Sequence, residues 1–241
     1  MSEPCPQYLV GICSYNEGDK IRRVIEKFSD YACYDVLIID DGSTDGSVEG
    51  LAPHDARTVI RNPRPKGAGY GTRQIIHYAH EQGYTAVIFV SGNDKDDPAD
   101  VPLLVAGLKR GADLVQGSRY LPGGGYGNMP LYRRISTQFI HPALFSLISG
   151  QRITDSTNGF RAVRTEMCRD PRMDLGQEWL DAYELEPYLF YKAIKLGYHV
   201  IEVPVRKYYP PHQEGYTKMK PFSGWWSILR PLIYLGLKIK R

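Results

Sequence analysis

The chain has 241 residues, enough at roughly 100 to 200 residues per domain for one large domain with a real core. Hydrophobic residues make up 42% and charged residues 24%, which excludes a disordered, fibrous or collagen-like chain. Four cysteines, Cys5, Cys13, Cys33 and Cys168, show no CxxC spacing and argue against a zinc site or a disulfide scaffold. The opening MSEPCPQYLV lacks the basic start and long apolar stretch of a secretory leader. No uncharged apolar run reaches the ~18 residues of a membrane span, so a reducing, cytoplasmic setting is expected. The net charge of +3 is uneven: from position 206 eight basic residues face one acid, a net of +7, which leaves −4 on the first 205 residues. Such a basic end suits anions such as phosphates or lipid head groups, and the absence of a recognition motif argues against nucleic acid.

Short β-branched runs alternate with amphipathic segments, the pattern of a mostly parallel α/β sheet flanked by helices. YLVGIC at 8–13 predicts a first strand and residues 19–28 a helix, with Ile21, Val24, Ile25 and Phe28 on one face. DVLIID at 35–40, nearly all apolar, predicts a strand covered on both faces. Residues 57–61 predict a third strand, 69–82 a helix, AVIFV at 86–90 a fourth strand and ADLVQGS at 112–118 a fifth. Further helices are expected from Pro98, from Arg133 and Arg134 to Ser149-Gly150, and over 183–196. LPGGGYGNMP at 121–130 predicts a mobile loop near the substrate, with Tyr120 and Tyr126 as its aromatic residues.

No repeat, low-complexity tract or long linker divides the chain. Residues 1–205 are expected to form a single domain and 206–241 a basic, tryptophan-bearing C-terminal segment. That segment sets Trp225 and Trp226 and several aliphatic residues beside Arg230, Lys238, Lys240 and Arg241, and Arg230-Pro231 interrupts it. It is too broken to span a bilayer but suited to lie at a membrane surface; the alternative is an ordinary core-packing helix.

Open α/β sheets bind ligands beyond the carboxyl ends of their strands. Four strand ends carry polar clusters here: Ser14 to Glu17, Asp40 to Asp45, Ser91 to Pro98, and Gly117 to Tyr120. Four in succession predict one polar cleft. Through these residues the sequence resembles the family 2 glycosyltransferases of GT-A fold, and among them the polyprenyl-phosphate (dolichol-phosphate) sugar transferases. The resemblance is carried in order by SYNE at 14–17, IIDDGSTDGS at 38–47, KGAGYGTRQ at 66–74, KDDP at 95–98 and GSRY at 117–120. DSTNGFR at 155–161, YELE at 183–186, GYHVIEVPV at 197–205 and GYTKMKPF at 215–222 complete it, so that it covers nearly the whole chain.

The resemblance implies a nucleoside-diphosphate sugar as donor, a lipid phosphate as acceptor and inversion at the anomeric carbon, while the C-terminal segment is what suggests a peripheral place on the cytoplasmic membrane face. It implies that Asp41 contacts the donor's base, that Ser14, Asn16 and Glu17 line the same pocket, and that Lys66 offsets the donor's charge. Asp40 and Ser43 have a plainer use as helix caps. Gly67, Gly69 and Gly71 lack the lysine-serine ending of a phosphate loop and are read as turn and packing residues. Arg119 is the natural fork for the diphosphate, and Asp155 is implied to face the sugar or the metal. Arg133 and Arg134 correspond to an arginine pair near the acceptor phosphate. Glu184 and Glu186 cannot share a helix face at a spacing of two, so one of them faces the cleft; Glu184 is the candidate. Lys218, with Lys220, matches a segment that covers the donor.

The stretch after the fourth strand departs from the family's pattern. Relatives place two aspartates one residue apart there, where residues i and i+2 of an extended chain reach one divalent ion. Those positions hold Ser91 and Asn93, and magnesium and manganese favour anionic oxygens. The next same-side pair, Asp94 and Asp96, is expected to hold Mg2+ or Mn2+, with Asn93 as a neutral helper; helix capping by Asp96 or Asp97 is the alternative. Metal and Arg119 would then neutralise the leaving diphosphate. Two other functions stay open: a soluble transferase with a hydroxyl acceptor, and a catalytically silent nucleotide-sugar binder.

Overall fold

The computed structural model describes residues 8–29, 34–49, 51, 57–209 and 223–240. Cys5, Cys33, Lys218 and Lys220 lie outside the described residues. The chain runs through β1 (Tyr8–Ser14), α1 (Asp19–Ser29), β2 (Asp35–Asp40), β3 (Arg57–Arg61), α2 (Ala68–Glu81), β4 (Ala86–Ser91), α3 (Val101–Lys109) and β5 (Leu114–Ser118). It continues through β6 (Gly125–Gly127), α4 (Leu131–Ile135), α5 (His141–Ser149), β7 (Arg161–Arg164), α6 (Thr165–Arg169) and α7 (Leu185–Lys195). The last elements are β8 (Val200–Pro204), β9 (Arg206–Tyr208) and α8 (Ser223–Gly236). A π-helical stretch, Ser136–Ile140, joins α4 to α5 without a break.

Seven strands form one sheet in the order β3-β2-β1-β4-β7-β5-β8. Neighbours run parallel except at β7, which is antiparallel to both β4 and β5. Leu37, Ile38 and Ile39 of β2 and Val87 and Ile88 of β4 are fully buried, because helices cover both faces. On one face the stripe Ile21, Val24, Ile25 and Phe28 of α1, with Leu104 and Leu108 of α3, packs on Val10, Ile38 and Ile88. On the other, Ile75 of α2 and Leu189 and Phe190 of α7 pack on Leu9, Leu37 and Val87. Leu232 and Leu235 of α8 are buried against the same layer of helices. Among the described residues no helix is long and apolar enough to cross a membrane.

Three expectations change in detail. The helix from Pro98 begins as a 3-10 turn, Pro98–Asp100, capped by Asp97, whose carboxylate accepts from Ala99 N at 3.0 Å. The glycine-rich stretch expected as a mobile loop contains β6, which pairs with β9. Arg206 of β9 donates from Nη2 to Asp100 Oδ1 at 2.8 Å, so the folded body runs past the boundary expected at 205.

Candidate active site

The rim of the sheet gathers the polar loops because β1, β2 and β4 end side by side: Ser14 lies opposite Asp40, and Cys13 opposite Ser91. Those loops open on one cleft of about 650 Å³, lined by Ser14, Glu17, Asp41, Ser91, Asn93 and Lys95 and, from the second half of the chain, by Arg161 and Glu186. A second cavity of about 500 Å³ shares Arg133, Thr157, Tyr183, Glu186, Lys207 and Tyr209 with the cleft and continues to Tyr132, His141 and Ile228.

Asp41 organises one wall. Its Oδ1 accepts from Asn62 Nδ2 (3.0 Å) and Lys66 N (2.9 Å), and its Oδ2 from Gly67 N (2.8 Å), so the carboxylate fixes the loop beside it. Asn16, at φ 49°, joins the loops after β1 and β2: its N–H donates to Ser43 Oγ (2.9 Å) and its Oδ1 accepts from Thr44 N (2.8 Å). Buried Asp40 closes a turn by accepting from both the N–H and the hydroxyl of Ser43. The Lys66 side chain turns to Tyr70, with Nζ 2.9 Å from the phenol oxygen. A methyl group on Gly69 would fall 1.9 Å from the Leu180 carbonyl oxygen. Gly69 N and Tyr70 N donate to the carbonyls of Ala182 (2.7 Å) and Asp181 (3.0 Å), so the start of α2 packs on backbone, as a packing role for the glycine requires.

Asp94 and Asp96 do not form the expected pair. Asp94 has φ 58°, a left-handed turn, and the alternation of an extended chain fails there. Its carboxylate meets Arg23 Nε (2.8 Å) and Lys27 Nζ (2.5 Å) of α1. Asp96 is buried, accepts from Ser91 N (2.9 Å) and is ion-paired with Lys207. Neither carboxylate lines the cleft. Asn93 Oδ1 is buried without a hydrogen-bond partner, but it and Ser91 are neutral oxygen donors with Lys95 and Lys207 in the same wall. Among the described residues no three His, Cys, Asp or Glu side chains converge on one point. This donor set does not fit Mg2+ or Mn2+, which need anionic oxygens.

Arg119 and Asp155 also differ from expectation, because they hold each other. Buried Arg119 closes its fork on Asp155, Nε to Oδ2 at 2.6 Å and Nη2 to Oδ1 at 2.8 Å. The same guanidinium donates to Thr157 Oγ1 (2.8 Å) and Tyr209 Oη (3.3 Å), so the pair positions two residues of the cleft wall.

The arginine pair divides, as neighbours about 100° apart on a helix must. Arg133 lines the cleft with its guanidinium 5.3 Å from the centre of the Tyr209 ring. Arg134 turns to the Tyr126 ring (5.1 Å) and to Gln138 Oε1 (3.1 Å). The glutamates divide as well. Glu184, the expected catalytic residue, is fully buried and ion-paired with Arg230 of α8, whereas Glu186 lines both cavities with Oε2 3.6 Å from Arg161 Nη2.

Sequence reasoning missed two lysines. Lys95 Nζ stands 5.0 Å from the centre of the Tyr209 ring, and burial, then the charges of Lys207 and Arg133, push it down to about 7. Lys207 donates to Asp96 and to Asn158 Oδ1 (3.0 Å). A lysine inside the acidic run 94–97 reads as a solvated charge, and nothing local marks Lys207 as its neighbour.

The sequence pattern of glycosyl transferase family 2 matches residues 9–170. The chain is 30% identical over 223 residues to polyprenol monophosphomannose synthase of Mycolicibacterium smegmatis, covering 90% of this chain and 82% of that one. It is 28% identical over 201 residues to undecaprenyl-phosphate mannosyltransferase of Micrococcus luteus, covering 80% of each. Among solved structures, glucosyl-3-phosphoglycerate synthase of Mycobacterium tuberculosis, in complex with Mn2+, uridine diphosphate and glucosyl-3-phosphoglycerate, shares the fold. That match has a TM-score of 0.64 at 18% identity, over 96% of this chain and 78% of that one. The family pattern spans more than half of the chain, and the chain is a glycosyltransferase of GT-A fold belonging to glycosyl transferase family 2.

Proposed function

We propose that this chain moves a sugar from a nucleoside-diphosphate sugar to a polyprenyl phosphate while resting on a membrane surface. The observation that carries the proposal is the second cavity, which joins the donor cleft at Arg133 and Glu186 and reaches Tyr132 of α4. Along α4, the π-helical stretch and α5, Leu131, Ile135, Phe139, Ile140, Leu144 and Leu147 recur at helical spacing and all stand exposed. A stripe of that kind normally packs into a core; left bare, it suits an apolar phase. Trp226, Leu237 and Ile239 add exposed apolar surface on and after α8, beside Lys238 and Lys240. The names of the two curated relatives, which act with polyprenol or undecaprenyl phosphate, support the same acceptor class.

In this scheme the base lies by Asp41, the diphosphate by Ser91, Asn93 and Lys95, and the sugar by Arg161 and Glu186. The acceptor phosphate enters through the second cavity and meets Arg133. Its oxygen attacks the anomeric carbon, the bond from that carbon to the diphosphate oxygen breaks with both electrons leaving on the diphosphate, and the carbon inverts. A phosphate monoester, with a second pKa of about 6, is already largely ionised and needs no general base. No step runs through Mg2+ or Mn2+, because Asp94 and Asp96 are each paired with neighbouring cations.

Liposomes containing polyprenyl phosphate and a nucleoside-diphosphate sugar with a radiolabelled hexose test the scheme. Label should enter the lipid extract only when the lipid phosphate is present. Label appearing as free sugar regardless of lipid, or moving onto a soluble hydroxyl acceptor, overturns it. Glu186 in the cleft favours that second acceptor as the rival, because a carboxylate there is placed to act as base.

A further inference from the structure

We infer that a side-chain cation, Lys95, neutralises the donor's diphosphate in place of a divalent metal ion. This rests on the proposed nucleotide-sugar donor and names what offsets the charge of its leaving group.

The wall after β4 is built to hold ammonium groups. Asp96 and Lys207 face each other across an antiparallel bridge, and Tyr208 N donates to the Lys95 carbonyl at 2.9 Å, so the backbone fixes both lysines at one place. Asp96 anchors Lys207 with one carboxylate oxygen and the Ser91 amide with the other, the role of a strut and not of a metal ligand. Lys95 and Arg133 both stack on the Tyr209 ring, at 5.0 and 5.3 Å from its centre. The tyrosine therefore spaces two cations in the wall that also holds Ser91 and Asn93.

The charge balance points the same way. Among the described residues the cleft is lined by five cationic side chains, Lys20, Lys95, Arg133, Arg161 and Lys207, against the carboxylates of Glu17, Asp41 and Glu186. Counting Asp96 behind Lys207 as a fourth carboxylate, the cleft keeps an excess of one positive charge. Crowding like charges in a partly desolvated wall is unfavourable in the free protein and becomes favourable when an anion arrives. The lowering of the Lys95 ammonium by burial, Lys207 and Arg133 is a symptom of that crowding. A divalent ion would meet repulsion from the same groups and only neutral oxygens in return. During transfer Lys95 stays an ammonium throughout: it donates hydrogen bonds to diphosphate oxygens as the anomeric carbon–oxygen bond breaks, and no proton moves.

Calorimetric titration of the full chain with UDP and with GDP, in chelator and again with Mn2+, tests the inference. For whichever nucleotide binds, affinity in chelator should lie within about threefold of that with Mn2+. Lys95→Met should weaken the nucleoside diphosphate about tenfold to a hundredfold, the range of a charged hydrogen bond, and leave the parent nucleoside unchanged. Lys95→Arg should restore most of the loss, and the thermal midpoint of Lys95→Met should not fall. Binding seen only with Mn2+ overturns the inference and leaves the proposed function standing. No binding in either condition overturns both, and full affinity in Lys95→Met removes the lysine from the site. Should Lys95→Met fail to fold, the chelator comparison on the unaltered chain decides.

Discussion

Glu184 and Arg230 form an ion pair that bolts α8 to the start of α7, with the carboxylate fully buried and the arginine side chain 32% exposed. Glu184 Oε2 and Arg230 Nε have no hydrogen-bond partner, so the contact is their main satisfaction. Glu184→Gln should lower stability by roughly 1–3 kcal/mol, since one charge loses its partner while water still reaches the arginine. Urea unfolding reads the loss, and activity per folded molecule should hold.

Glu186, two residues on, should respond in the opposite way. Glu186→Gln is expected to keep the unfolding free energy within ~0.5 kcal/mol. Its rate of transfer to polyprenyl phosphate should fall by less than the ~100-fold that loss of a general base entails, with the pH profile unchanged. Initial rates across pH 6–9 check this, and a lost acidic limb would instead make Glu186 a base.

Asp155→Asn should be the most damaging of these changes. It leaves Arg119, 3% exposed, without its counter-charge, and removing one partner of a buried pair typically costs about 3–5 kcal/mol. The double replacement Arg119→Met with Asp155→Leu should recover part of the loss. Chemical denaturation of the two variants separates a pair that supports the wall from an arginine that binds diphosphate.

His141 gives the fold an acid limit. Burial pushes its imidazole down to about 4, with Nδ1 2.7 Å from Ser156 Oγ and Nε2 3.3 Å from the Ile228 carbonyl. The unfolded chain, with a histidine pKa of about 6.5, takes up the proton first as pH falls. The stabilisation is therefore whole above about 6.5 and is lost as pH drops toward 4. Between pH 7 and 5 the unfolding free energy should decline by about 2 kcal/mol more in the unaltered chain than in His141→Asn.

The exposed stripe yields a membrane prediction. Ile135, Phe139 and Leu147 are 45%, 58% and 79% exposed, so replacing all three with glutamate should leave the thermal midpoint nearly unchanged. Flotation with anionic liposomes should nevertheless drop to background. Deleting α8 would be a poorer probe, because Leu232 and Leu235 belong to the core.

The alternation of apolar strands and striped helices made β1 to β5 and α1 legible in the sequence, because burial on two faces writes itself as unbroken runs such as Leu37 to Ile39. The insertion of antiparallel β7 between β4 and β5 was not legible, since four residues at 161–164 carry no sign of which distant edges they join. At the site, the spacing of two correctly separated Glu184 from Glu186 but held no information about which one faced inward; that depended on Arg230, 46 residues away. Asp94 defeated the extended-chain argument through a single left-handed residue. Lys207 reaches Asp96 across 111 positions, a separation at which local pattern is silent.

Gly69 ties the turn at 66–71, beside Asp41, to residues 180–182, which lead directly into Glu186. Under the proposed donor arrangement, base choice and sugar choice are therefore mechanically coupled. An engineer who reshapes the turn around Lys66 to Gly71 for a new nucleobase will displace the hexose wall in the same stroke, and donor preference will have to be redesigned as a whole.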